Sequence, residues 1–418
     1  MSALDTIQRL QFSDQPAAEA LLLEFLRSQL GLPAVKAELR PLAVSLNSFN
    51  GFLTLEDGTR QFFKTHTESD TIIAEYYNAA QLAEVGYPVL QPIYSSTESG
   101  RQLLIYPVVE SQSVFDVAWA IEQGDSDDSV DLTQAQQAAD DRLMQIYAAT
   151  LGQQSAHEAA AAPVHQLFYH RLAGGRLERF YGSLSGSAGE GPSIGLPDGV
   201  HAMRAIRHLR WTINGQQYDE TLDDLIRRAL ILLEPAQSGP SVVGHGDAHN
   251  GNLFFLHDEK PPSLLYFDPA FAGRHNPLLD LAKPLFHNVF AMWMYHAQEK
   301  GDQLSITQRE EGGRWLISHD YPLPPVREMF WRSKVERVLI PTLVLLKHHG
   351  MLREDWRAVL KAALFCCPFL TINLADPARF PPPISLLGLC MAIEMGGESQ
   401  GERSLLDRTL DEAERAIS

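Results

Sequence analysis

His245-Gly-Asp-Ala-His-Asn-Gly-Asn252, followed a few residues later by Ser263-Leu-Leu-Tyr-Phe-Asp268-Pro, is the stretch from which the rest of the chain is read. Residues 253–256 form a short apolar run, 257–262 are polar and end in two prolines, and 263–267 are apolar and aromatic again. The spacing predicts two strands joined by a turn. If they pair antiparallel and symmetrically about that turn, Asn252 falls opposite Asp268, and directly opposed side chains lie roughly 5 Å apart. Two oxygen ligands at that separation suit one hard cation; magnesium takes one or two protein oxygens beside phosphate and water. Asp247 stands on the loop just ahead of the first strand, where a carboxylate can orient and deprotonate a hydroxyl. Asp247, Asn252 and Asp268 are thus the three side chains that phosphoryl transfer from a metal-bound nucleotide needs.

The spacing His-x-Asp-x4-Asn equals that of the protein-kinase catalytic loop, where the Asp receives the hydroxyl proton and the Asn binds metal. Other readings stand beside this one. Asp-Pro and Gly-Asn are ordinary turn residues, and a hairpin with polar ends carries them without chemistry. His245, Asp247 and His249 also resemble a metal-ligand cluster, which would make the chain a metal-dependent hydrolase. A nucleotide-binding regulator without catalysis is the third possibility. Of the histidines, His245 reads best as structural, and His249 as a buttress of the loop or a phosphate contact.

The composition sets outer bounds. At 418 residues the chain exceeds the usual single domain, so two lobes are expected. Hydrophobic residues at 45% and charged residues at 21% fit a globular protein in water. No run approaches the ~20 apolar residues of a membrane span, and Met1–Thr6 has neither the basic start nor the apolar core of a signal peptide. Cys366, Cys367 and Cys390 make no disulfide framework, so a cytoplasmic setting is expected. The 34 basic and 52 acidic residues give a net charge of −18, which argues against nucleic acid or an anionic membrane as partner and favours a cationic or neutral acceptor.

Along the chain, 15–30 has helical spacing, with Leu21, Leu22, Phe25, Leu26 and Leu30 on one face. Residues 36–55 read as extended segments broken by a loop at 45–51, and Glu56-Asp-Gly58 as a turn leading to a strand at 59–65 that carries Lys64. A helix at 69–85 ends at Gly86, and strands follow at 89–94 and 101–108. From Glu110 helices dominate, with loops at 123–129 and 183–197, a hairpin at Trp211–Tyr218, helices at 222–233 and 277–298, and a mostly helical remainder. The domains are accordingly 1–108, a nucleotide-binding lobe with a leading helix, and 109–418, a mainly helical lobe with the catalytic loop and acceptor region.

Supporting residues complete this reading. Lys64, on a strand, and Glu75, on the next helix, suit a pair that fixes an ammonium against phosphate oxygens. The loop at 45–51 lacks G-x-G-x-x-G, but Ser48, Asn50 and backbone N–H groups are phosphate donors there. Pro107 has no N–H, so a backbone contact to adenine falls to Val108. Asp280, at the start of a helix, either caps it or braces the Asp247 loop. Asp140 and Asp141 are acidic candidates for the acceptor pocket.

These residues resemble the aminoglycoside phosphotransferase and choline kinase type of small-molecule kinase. The motif His-Gly-Asp-x-His-x-Gly-Asn carries the likeness over 245–252. It continues through Asp268 and Asp280-Leu-Ala282, and more loosely to Lys64, Glu75 and Gly86-Tyr-Pro88. The resemblance implies an α+β, bilobal protein-kinase-like fold, with a small antiparallel-sheet N-lobe containing one main helix and a large helical C-lobe. It implies transfer of the γ-phosphate of ATP, with Mg2+, to a hydroxyl of a small molecule such as a sugar, amino sugar or amino alcohol. Asp247 would be the base, Asn252 and Asp268 the metal ligands, and Lys64, held by Glu75, a nucleotide contact. Asp268 is followed by Pro-Ala-Phe rather than Phe-Gly, which points away from a protein substrate. The last 130 or so residues carry no assigned signature.

Overall fold

Alternation along two neighbouring strands builds the first sheet. The strands are β1 (Ala34–Leu39), β2 (Ser48–Leu55), β3 (Arg60–His66), β4 (Tyr94–Ser96) and β5 (Leu103–Pro107), in the order β1-β2-β3-β5-β4, with every pairing antiparallel. Phe49, Leu53 and Phe63 are buried on one face, so the period of two puts Asn50, Phe52, Phe62 and Lys64 on the other. Two helices, α1 (Ala3–Ser13) and α2 (Gln15–Ser28), add Leu4, Ile7, Leu22, Phe25 and Leu26 to the same core. Each such side chain contributes roughly 1.5–3 kcal/mol when fully buried. Asp14 caps α2 by accepting from the Ala17 N–H at 3.2 Å. The predicted helix at 15–30 is α2; α1 was not anticipated, because its fully buried apolar positions, Leu4 and Ile7, span little more than one turn.

This computed structural model describes the chain apart from residues 1–2, 41–47, 67–77, 97, 99 and 185–190. The expected helix at 69–85 is helical over its described part, 78–84, with Gly86 beyond it at φ +101°. Contacts divide the chain into one unit of residues 1–112 with Leu265–Ala270, and a second of Ser113–Leu264 with Phe271–Ser418.

The second unit is mostly helical. Helices Pro277–His287, Trp356–Leu370 and Pro382–Gly396 are almost wholly buried and form its centre. The hairpin expected at Trp211–Tyr218 is present: Arg210–Ile213 pairs with Gln216–Tyr218 across Asn214 and Gly215, both at positive φ (48° and 87°). It belongs to a five-stranded sheet completed by Ile306–Glu311, Arg314–His319 and Gln400–Gly401. The remainder is mostly helical, as expected, and the strands at 306–319 are the main interruption that the sequence reading did not contain. Ile306-Thr-Gln-Arg-Glu-Glu311 is polar and largely exposed, so it lacks the apolar alternation that marks a strand, and only Gly312-Gly313 signals the turn. Likewise Ser193–Leu196, inside the segment read as loop at 183–197, pairs with Gly199–Ala202 just beyond it. The whole is α+β with antiparallel sheets and many helices. Among the described residues no helix is long and apolar enough to cross a membrane.

A small sheet positions the motif found in the sequence. Strand Gly239–Gly244 lies between Gly152–Gln154 and Gly273–His275, antiparallel to both. The middle strand runs straight into His245, and Gly273–His275 runs into helix Pro277–His287. The catalytic-type loop and the helix that braces it therefore start from neighbouring strands.

Candidate active site

The loop from His245 to Asn252 is tied through most of its backbone N–H groups. Asp280 Oδ1 accepts from the Gly246 N–H at 2.5 Å, and the same carboxylate accepts from the Tyr147 hydroxyl and lies 3.1 Å from His275 Nε2. Asn276, not Asp280, caps helix Pro277–His287, by accepting from the Leu278 N–H at 2.9 Å. Of the two roles open to Asp280, the structure thus shows the bracing one. Burial raises the Asp280 carboxyl, but His275, Tyr147 and the Gly246 N–H outweigh it and hold the group at about 2. Asn288, just past the same helix, accepts from the Asn250 N–H at 2.7 Å.

Within the loop, His249 Nδ1 accepts from the Gly251 N–H at 3.1 Å, and His245 Nδ1 lies 3.4 Å from the Asp247 N–H. His245 is fully buried. Among the described residues no three His, Cys, Asp or Glu side chains are grouped to hold a metal ion. The rings support the loop, and the hydrolase alternative gains no geometric support from them.

Gly246 sets the loop's path. Its φ is +80°, and a Cβ there would sit 2.4 Å from the Phe271 carbonyl oxygen. Strain of this kind costs about 1–3 kcal/mol. Gly246→Ala is therefore expected to lower the unfolding free energy by that amount, read as a lower urea midpoint, and to displace the next residue, Asp247, with loss of turnover. A variant with unchanged midpoint and turnover would show that the loop does not need this conformation.

Asp247 is only 14% exposed, and its Oδ1 accepts no hydrogen bond within the described protein. Lys283 Nζ lies 3.4 Å from that oxygen and His249 Nε2 lies 3.9 Å away. Burial pushes the Asp247 carboxyl up, but Lys283, His249, Arg171 and His245, in that order, overcome it and hold the group below the usual carboxylate range. Asn252 donates its amide to the Asp247 carbonyl at 2.9 Å. The amide nitrogen is thereby committed, and the oxygen is the atom left for a cation. Asp247 and Asn252 are thus brought together in the second unit. Leu253–Leu256 and Ser263–Tyr266 form the predicted two-stranded sheet.

In the first unit, Lys64 Nζ forms a 2.8 Å ion pair with Asp268 Oδ1. Asp268 has φ +54°, a left-handed conformation that Asp adopts more readily than most residues. Asn50 is directly opposite Lys64 in the β2–β3 register, so the two share a face. Here the structure corrects the sequence reading. Ser48 and Asn50 lie in β2 rather than in a loop, and the Asn50 carbonyl accepts from the Arg40 N–H at 2.9 Å. Their backbone belongs to the sheet rather than to a phosphate-binding loop. Val108 follows β5 directly. Glu75 lies outside the described residues.

Three contributors were missed in the sequence. Lys283 sits three residues after Asp280 on a buried helix that is apolar apart from Asp280, Lys283 and His287, and a lysine on such a helix needs a partner; that signal was legible. His287, one turn further, lies 3.1 Å from Lys283 Nζ and 2.8 Å from the Tyr295 hydroxyl. Arg171, on the short helix Tyr169–Ala173, has no motif around it. Asp140 is fully buried against Lys334 and Ser333, and Asp141 pairs with Arg337, so both are taken up by structural contacts.

A family model described as the phosphotransferase enzyme family matches residues 38–310, well over half the chain. No curated protein matches it in sequence. Solved structures similar to it include an amicoumacin kinase in complex with AMP-PNP, Ca2+ and Ami (14% identity, covering 93% of this chain and 94% of that one, TM-score 0.43). Others are a thermostable mutant of an aminoglycoside phosphotransferase in ternary complex with ADP and hygromycin B (10% identity, 90% and 98%, TM-score 0.45), and a macrolide 2'-phosphotransferase from Brachybacterium faecium as apoenzyme (16% identity, 84% and 98%, TM-score 0.34).

Proposed function

The chain belongs to the phosphotransferase enzyme family, and from that premise we propose that it moves the γ-phosphate of ATP, or of another nucleoside triphosphate, to a hydroxyl of a small molecule. The observation that supports this most is the Asp247 loop. A largely buried carboxylate is kept ionised by Lys283 and carries an oxygen with no hydrogen bond, on a loop fixed by Asp280 and Asn288. Such a group is built to take a proton from an acceptor hydroxyl.

Lys64 would contact the nucleotide phosphates, with Glu75 holding it. Asn50, Ser48 and Val108 would complete the nucleotide contacts. The Asn252 oxygen and the Asp268 carboxylate are hard donors that fit magnesium. Bound by them, magnesium would neutralise charge on the phosphoryl group in flight. Asp268 would then share its carboxylate between the metal and Lys64.

The test is ADP release from ATP and magnesium across sugars, amino sugars, amino alcohols and nucleosides. Acceptor-dependent release is expected, abolished by excess EDTA and restored by magnesium. No release with any acceptor, together with no thermal shift on adding ATP and magnesium, would overturn the reading.

A further inference from the structure

The charge around Asp247 is opposite in sign to that of the chain as a whole. The net charge is −18, yet the groups that act on Asp247 are Lys283, His249, Arg171 and His245, all basic. Arg171 Nη1 donates to Thr371 Oγ1 at 3.2 Å, and Arg176 Nη1 donates to the adjacent Leu370 carbonyl at 3.2 Å. The two guanidinium groups are therefore anchored one residue apart, at the C-terminal end of helix Trp356–Leu370. Each has five N–H donors and makes one such bond within the described protein.

Among the described residues neither arginine has a carboxylate within ion-pairing distance. The charges that act on Arg176 are those of Arg171 and Arg179, both positive. Capping the helix end accounts for one bond per arginine. It does not account for two like charges of which only Arg171 feels a carboxylate, that of Asp247, and Arg176 feels none, in a chain with an excess of acids. Arginine forks match carboxylate and phosphate oxygens.

We propose that Arg171 and Arg176 form an oxyanion subsite for the acceptor, so that the substrate is a hydroxyl compound that also carries a carboxylate or a phosphate. This rests on the phosphotransferase reading. The arginines belong to the second unit, with the base, whereas Lys64 and Val108 belong to the first. The acceptor's anion, rather than the nucleotide's, is therefore the one assigned to them. An amino sugar, by contrast, would bring a cation to a site already rich in cations. The overall acidity of the chain, which favours a cationic or neutral acceptor, is a property of its surface and does not describe this site.

The experiment pairs neutral polyols with their acids: glycerol with glycerate and glucose with gluconate, with kanamycin as the cationic member. The acids are expected to have the higher kcat/KM. Arg171→Gln and Arg176→Gln should each raise KM for the acid by roughly 10- to 100-fold, the loss expected for a charged hydrogen bond, and leave KM for ATP unchanged. In a second arm, sodium sulfate in the low millimolar range, too dilute for its general salting-out effect, should raise the Tm of the wild-type protein saturably above that in sodium chloride of equal ionic strength, and the double variant should lose this saturable difference. A preference for neutral compounds or kanamycin, a rise in KM for ATP in either variant, or a sulfate effect that survives in the double variant would each overturn the proposal. If no panel compound is turned over, the sulfate arm still decides it. ATP and magnesium binding by the wild-type protein tests the phosphotransferase reading separately.

Discussion

Asp247→Asn is expected to lower acceptor-dependent ADP release by about 10³-fold, within the range that a positioned general base supplies, while the protein still binds ATP and magnesium. Asparagine keeps the shape of the side chain and removes its basicity. The metal ligands proposed here, Asn252 and Asp268, and the phosphate contact Lys64 are unchanged, so KM for ATP should hold and kcat should fall. The substitution also leaves the Lys283 ammonium, only 4% exposed, without its carboxylate at 3.4 Å. Some loss of Tm is expected from that, and the thermal shift with ATP and magnesium shows whether the variant is folded. Lys283→Met gives the complementary result. Burial raises the Asp247 carboxyl and Lys283 is the largest influence lowering it, so without Lys283 the acid limb of kcat/KM should move to higher pH. In the wild-type protein Asp247 stays ionised through mildly acidic pH and imposes no limb there. Wild-type turnover in Asp247→Asn, or an unmoved acid limb in Lys283→Met, would remove these residues from the roles assigned.

What the sequence made legible is what local pattern encodes. The two strands at 253–256 and 263–266 were readable because apolar runs of strand length flank a Pro-terminated polar turn, and Asn214-Gly215 announced its hairpin by turn chemistry alone. The loop at 245–252 stood out because its spacing is dictated by the chemistry it serves. What stayed hidden depends on chain segments far apart in sequence. Arg171 acts on Asp247, 76 positions away, and is anchored on Thr371, 200 positions away; no window along the chain contains that arrangement. The strand at 306–311 was hidden for another reason: it is largely exposed and polar and is held by pairing with Arg314–His319, which carries the buried Trp315 and Ile317 and pairs in turn with Arg210–Ile213. Lys283 is the instructive case between these. A lysine amid Leu278, Leu279, Leu281, Ala282, Leu285 and Phe286 announces a buried ion pair, but nothing local names Asp247 as its partner.

Asp280→Ala is expected to cost about 3–5 kcal/mol, the range for breaking a buried charged network by removing one member. Three donors meet at this carboxylate: the Gly246 N–H, the Tyr147 hydroxyl and His275. Alanine would leave all three buried without an acceptor. The loss should be pH-dependent in a defined direction. The Asp280 carboxyl is drawn from 3.8 down to about 2. A group depressed on folding stabilises the native state above its unfolded value and loses that stabilisation as the pH falls through the folded one. That part amounts to about 2.5 kcal/mol, fully present above about pH 4 and fading between about 4 and 2. Urea midpoints of wild-type and Asp280→Ala protein should therefore differ most at neutral pH and converge partly in strong acid. Asp280→Asn, which keeps an acceptor for the Gly246 N–H, should lie between them. A difference that did not shrink in acid would mean that Asp280 is not charged in the folded protein. Because Gly246 precedes Asp247 directly, both variants should lose more activity than stability: the carboxylate that braces the loop is also what holds the base in place.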